Sequence, residues 1–283
     1  MQKNPNHKEE KRVKKEKPCQ SIKIYNGDLI VQNPKENFLE LKNNLIFFQD
    51  KSKVDEFQKD IEDDLRFLKI KEEVDKEEVL KKGVDMCILA DVSESMHPWR
   101  IFLKKSMYFA LMDLESFIFS IPDVKSEDFS RFRVSLVTYT DRKQEKPVKV
   151  LDFVEYSSLG EICKMIDDID IKQFANQKRA VFDGFKAVCD LKWNEDAQKI
   201  IVHYAADPAY GNKYSTNIKG QAEGYDPYPE GTDDIDEGDI LEKISDLDCI
   251  FNFIKLGEKL EKYQKEISGS INMDICKPKV DKI

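Results

Sequence analysis

Apolar residues along this chain follow two rhythms, short continuous runs and a three-to-four spacing, and the two alternate from residue 84 onward. Val84–Ala90 reads as a buried strand, and Trp99–Ile121 carries Ile101, Phe102, Met107, Phe109, Leu111, Leu114, Phe117 and Ile118 at helical spacing. Phe132–Tyr139 and Val148–Tyr156 read as two further strands, joined by a short polar connection over 140–147 that contains Pro147. That connection predicts a hairpin, with the later strand antiparallel at the sheet edge. Helices are expected at about 158–168 and 177–191, a strand at Lys199–Ala205, a short helix at 239–246 and a strand at Cys249–Leu256. A helix over Glu258–Ile267 and a last short strand over Ser270–Cys276 complete the pattern. Continuous apolar strands alternating with helices predict an α/β fold: a doubly wound, mostly parallel sheet with helices on both faces and strand 84–90 at its centre.

The first 82 residues break this rhythm. Residues 1–18 are basic and nearly free of apolar side chains, which predicts a disordered arm. Residues 19–82 form an extension, with two short strands expected around Asn26-Gly27 and an amphipathic helix over roughly 53–81 that carries Val54, Phe57, Ile61, Leu65, Leu68 and Ile70. The main domain is expected over 83–276 with an insertion at 208–238, followed by a tail at 277–283.

Chemistry concentrates where the central strand ends. Its exit reads Asp91-Val92-Ser93-Glu94-Ser95, so a carboxylate and two hydroxyls share one side of a tight turn. Such a set suits a hard cation, which prefers oxygen ligands. Asp207 follows the strand over 199–205 in the same way, bringing a second acid to the same edge. Doubly wound sheets bind ligands at that edge.

The D-x-S-x-S pattern resembles the metal-ion-dependent adhesion site of von Willebrand factor A domains. The resemblance implies that Ser93 and Ser95 hold Mg²⁺, or Mn²⁺, with Asp91 and Asp207 directly or through water, and with one position open to an acidic side chain of a protein partner. The third loop of such sites supplies a Thr or Asp. Here the corresponding stretch is Phe174–Val181, in which Asn176 is the nearest oxygen donor, while Lys178 and Arg179 beside it would repel a cation if they face the site. An occupied Mg²⁺ site and an empty, hydrogen-bonded turn both satisfy the pattern. The stretch IVHYAADPAYG and the insertion ending YDPYPEGTDD are similar to A-type domains found with alpha-type protein kinases. No kinase domain is expected here.

Composition narrows the function classes. The charged fraction is 36% with a net charge of -9, which argues against nucleic acid as the main partner. No apolar run reaches the length of a membrane span. The six cysteines lack CxxC spacing, and a reducing, cytoplasmic setting is the simplest reading. No glycine-rich phosphate loop and no Ser/His or Cys/His set suggests an enzyme. Tyr210, Tyr225 and Tyr228 of the insertion are expected to give partner contact area. His203, in mid-strand, reads as a core histidine. The expected function is protein interaction through a metal-bearing edge and the insertion, within a larger assembly such as a cytoskeletal or ciliary one. Two alternatives are a regulatory part of an alpha-kinase-type system and a structural subunit with a vestigial metal site.

Overall fold

A computed structural model of the protein describes residues 23–25, 28–30, 76–171, 179–214 and 226–276. Near the start, β1 (Lys23–Tyr25) pairs antiparallel with β2 (Asp28–Ile30). Of the helix expected over 53–81, the stretch up to 75 lies outside the described residues, and α1 covers Lys76–Lys82. Gly83, at φ +84°, then turns the chain sharply into the sheet. A Cβ there would lie 2.1 Å from the carbonyl oxygen of Arg131, so only glycine fits.

The sheet has six strands in the order β5-β4-β3-β6-β7-β8. They are β3 (Val84–Asp91), β4 (Phe132–Tyr139), β5 (Val148–Glu155), β6 (Gln198–Ala205), β7 (Ile250–Lys255) and β8 (Met273–Cys276). All neighbours run parallel except β4 and β5, which form the antiparallel hairpin at one edge. The helices are α2 (Arg100–Phe119), α3 (Gly160–Asp167), α4 (Val181–Cys189), α5 (Glu237–Asp246) and α6 (Glu261–Ser268). This is the doubly wound α/β architecture that the strand–helix alternation predicts.

Every residue of β3 is buried, because helices cover both faces. Side chains alternate across a strand, and the two cores divide accordingly. Met86, Ile88 and Ala90 pack with Leu103, Met107, Leu111 and Ile162 of α2 and α3. Cys87 and Leu89 pack with Val181, Phe185, Ile240 and Tyr263 of α4, α5 and α6. The edge strand β5 is mostly half-exposed, and Val150 faces solvent.

Chain order reverses at β3. The chain runs outward from β3 through β4 to β5, then returns to lay β6 on the other side of β3. The loops after β3 and β6 therefore diverge at the carboxyl edge and leave a crevice between them.

Candidate functional site

The central strand delivers Asp91 fully buried at this crevice. The turn after it is fixed from two sides: Val92 N–H donates to the Tyr139 carbonyl at 2.9 Å, and Ser93 N–H donates to Asp91 Oδ1 at 2.9 Å. The chain then enters a short 3-10 helix over Glu94–Trp99 rather than joining α2 directly, since Pro98 lies within that turn. Ser93 is buried, and its Oγ lies 2.9 Å from Ser95 Oγ. Asp207, 6% exposed, arrives from the exit of β6. The structure thus brings together Asp91, Ser93, Ser95 and Asp207. Asn176 lies outside the described residues.

Arg179 occupies the centre of this group. Its backbone is held on both sides: Arg179 N–H donates to the Pro208 carbonyl at 3.1 Å, and Ala180 N–H donates to the Thr140 carbonyl at 2.9 Å. A one-residue parallel bridge to Ala209 continues the anchoring. The residue is only 2% exposed. Its guanidinium donates from Nε to Ser93 Oγ and from Nη2 to Asp207 Oδ2 at 2.8 Å, and Nε lies 4.0 Å from Asp91 Oδ2. Asp91 Oδ2 is buried and accepts no hydrogen bond among the described residues, so it meets the guanidinium as charge against charge.

Burial pushes the Asp91 carboxyl up to about 6, because ionisation there loses water; Arg179 and Ser93 pull it back down, and the nearby Asp207 charge opposes them. A divalent cation sharing these ligands would sit in contact with a fixed positive charge. At about 4 Å and an effective dielectric near 20, that repulsion is about 8 kcal/mol. The donor set as arranged fits a guanidinium and does not fit a divalent ion beside it.

A second arginine ties down the neighbouring loops. Arg142, following β4, forks onto both oxygens of Asp183 of α4 at 2.8 and 2.7 Å, and its Nη1 donates to Asp234 at 2.6 Å. Its guanidinium also lies 5.7 Å from the centre of the Tyr228 ring. Next to it, the Tyr210 hydroxyl donates to Asp141 Oδ1 at 2.8 Å and accepts from Arg142 N–H.

One expectation for the insertion changes here. Tyr210, expected to offer contact area, is 3% exposed: its hydroxyl is spent on Asp141, and its ring meets Tyr228 edge-on at 4.9 Å. Tyr214 is likewise buried, with its hydroxyl on Glu237 at 2.8 Å. Tyr228 remains half-exposed, and Tyr225 lies outside the described residues. His97 is exposed and takes no part in the group around Arg179, whereas His203 is fully buried.

The roles of Arg142, Asp183 and Asp234 are not visible in any local motif. For Arg179 a signal exists: two acids at buried strand ends need a counter-charge, and this arginine directly precedes the apolar start of α4.

No protein-family model and no curated protein matches the sequence. Among solved structures, the SpRpn10 VWA domain is 17% identical, with a TM-score of 0.40 over 70% of this chain and 90% of that one. The pilus adhesin SpaC from Lactobacillus rhamnosus GG is 12% identical, with a TM-score of 0.43 over 69% of this chain and 28% of that one. The PilB minor pilin from Streptococcus sanguinis is 12% identical, with a TM-score of 0.40 over 69% of this chain and 56% of that one. The chain thus spans about a quarter of SpaC and just over half of PilB. Likeness at these identities concerns the path of the chain and not what it binds. No helix among the described residues is long and apolar enough to cross a membrane.

Proposed function

We propose that this chain is a protein-interaction module, acting by binding rather than catalysis, whose contact surface is the carboxyl edge of the sheet with the insertion after Asp207. One observation carries the reading. Loops following β3, β4 and β6 are locked to one another through Arg179 and Arg142, and Tyr228 stands half-exposed on the platform they make. A preorganised surface loses little entropy on binding, and a half-exposed Tyr provides area plus a hydroxyl.

Two forms of contact are open to such an edge. In the first, Mg²⁺ or Mn²⁺ on Ser93 and Ser95 accepts an acidic side chain of the partner. In the second, the rim formed by Glu230, Asp233 and Asp234, all exposed, meets basic side chains directly. The buried guanidinium favours the second form. The free thiols of Cys87, Cys163, Cys189 and Cys249 support an intracellular setting. The reading as a structural subunit of a larger assembly draws support from the same arginine, since a filled edge needs no metal.

A photo-cross-linking residue substituted for Tyr228, and in a second variant for Val150 of β5, tests the surface. Protein adducts at position 228 that are absent at 150 and that form equally when EDTA is present during irradiation are expected. Adducts at 150 with none at 228 would overturn it.

A further inference from the structure

We propose that Arg179 is the built-in cation of this edge: its guanidinium takes the place a divalent ion would fill, so the group Asp91–Ser93–Ser95–Asp207 is complete without metal. Three observations carry this, and they hold whether or not the edge is the partner surface.

The first is where the charge is put. An arginine side chain 2% exposed amid apolar helices and strand ends is costly unless paired, and it lies against two carboxylates that are themselves buried. The second is the geometry of its donors. The planar fork sends Nε to the Ser93 hydroxyl and Nη2 to Asp207, with Asp91 on the Nε side at 4.0 Å. A lysine ammonium is one point charge and could not span these acceptors from one fixed direction. The third is the backbone. Arg179 N–H is bound to Pro208, one residue beyond Asp207, and Ala180 N–H to the loop after β4. The residue is therefore tethered to the strand exits it neutralises, and α4 begins two residues later.

A consequence concerns recognition. Because the guanidinium is enclosed, a partner carboxylate has no path to it, so Arg179 does not act as an exposed anion-binding arginine. It serves the loops themselves, holding the exits of β3 and β6 at one separation in place of a metal ion.

The test uses thermal melting and titration calorimetry on wild type, Arg179→Gln, Arg179→Lys and the pair Arg179→Gln/Asp207→Asn, each in EDTA and in millimolar Mg²⁺. Wild type is expected to melt at the same temperature in both and to give no uptake heat. Arg179→Gln should melt about 10 °C lower in EDTA, recover part of that in Mg²⁺, and show saturable uptake. Arg179→Lys should melt lower than wild type with no Mg²⁺ response, since the charge stays and the fork is lost. Should Arg179→Gln fail to fold in EDTA, the paired variant, with one uncompensated acid removed, is expected to fold without metal. Saturable Mg²⁺ uptake by wild type would overturn the proposal. So would a folded Arg179→Gln that binds no Mg²⁺, or a paired variant no more stable than Arg179→Gln alone.

Discussion

His203 sits on β6 among Phe185, Phe251 and Phe253, with ring centres 5.3, 6.1 and 5.3 Å away. Its Nε2 is 2.8 Å from the Tyr139 hydroxyl, and its Nδ1 has no hydrogen-bond partner among the described residues. The Tyr139 hydroxyl alone is too little to solvate an imidazolium there, and burial lowers the folded-state value from 6.5 to about 3. The unfolded chain binds a proton below pH 6.5 while the folded chain does not. Stability from this group is therefore fully present above pH 6.5 and is lost as pH falls toward 3. The loss is about 1.4 kcal/mol per pH unit, or roughly 5 kcal/mol over the whole window. That is a large share of the roughly 5–15 kcal/mol that holds a domain folded. Asp91 works the other way: its raised value means the folded state takes up a proton first as pH falls through about 6, which offsets part of the loss. The variant His203→Phe separates the two. Losing the Tyr139 contact costs it stability at every pH, and that cost cancels when one protein is compared with itself at two pH values. Urea unfolding at pH 6.5 and 4.5 should show wild type losing about 2.5 kcal/mol more than His203→Phe across that interval. Equal losses would refute the buried neutral histidine.

Three further substitutions probe the scaffold, two of them at the edge. Gly257, just after β7, approaches so closely that a Cβ would lie 1.7 Å from the Ala206 carbonyl oxygen; Gly257→Ala should cost about 3 kcal/mol, read from the denaturation midpoint. Tyr210→Phe removes the hydroxyl shared by Asp141 and Arg142 N–H; it should cost about 1–2 kcal/mol and speed amide exchange of 226–236, and unchanged exchange would mean that the hydroxyl does not hold that loop. At the other end of the sheet, buried Asp85 takes both prongs of Arg133 at 2.8 and 2.6 Å and the Asn194 N–H at 2.7 Å. Asp85→Ala should cost about 3 kcal/mol, and a double-mutant cycle with Arg133→Met should recover part of it.

The strand ends were legible because burial leaves a plain trace. A run such as Cys87-Ile88-Leu89-Ala90 is continuously apolar and closes on Asp91, the last residue of β3, and Asp207, two residues past the end of β6, is marked in the same way. The antiparallel edge was legible from the short polar connection ahead of Pro147. Arg179 was harder, since a charged residue in a loop ordinarily reads as solvated, and its partners come from 28 and 86 residues away. Tyr210 misled for a related reason. Irregular segments have no periodicity to mark an inward face, and its hydroxyl partner Asp141 is 69 residues distant. Amphipathic residues in loops are sorted inside or outside by such remote pairings, which no local pattern records.

The most direct measurement is Mn²⁺ titration of the wild-type protein followed by two-dimensional amide NMR, because a bound paramagnetic ion broadens every resonance around it. With Arg179 as the resident cation, the amides of Val92, Ser93, Ser95 and Asp207 stay sharp at Mn²⁺ concentrations that broaden exposed acidic positions at the opposite end of the sheet, such as Glu195 and Asp196. Selective loss of the Val92, Ser93, Ser95 and Asp207 signals at low Mn²⁺, reversed by EDTA, would contradict an arginine-filled edge.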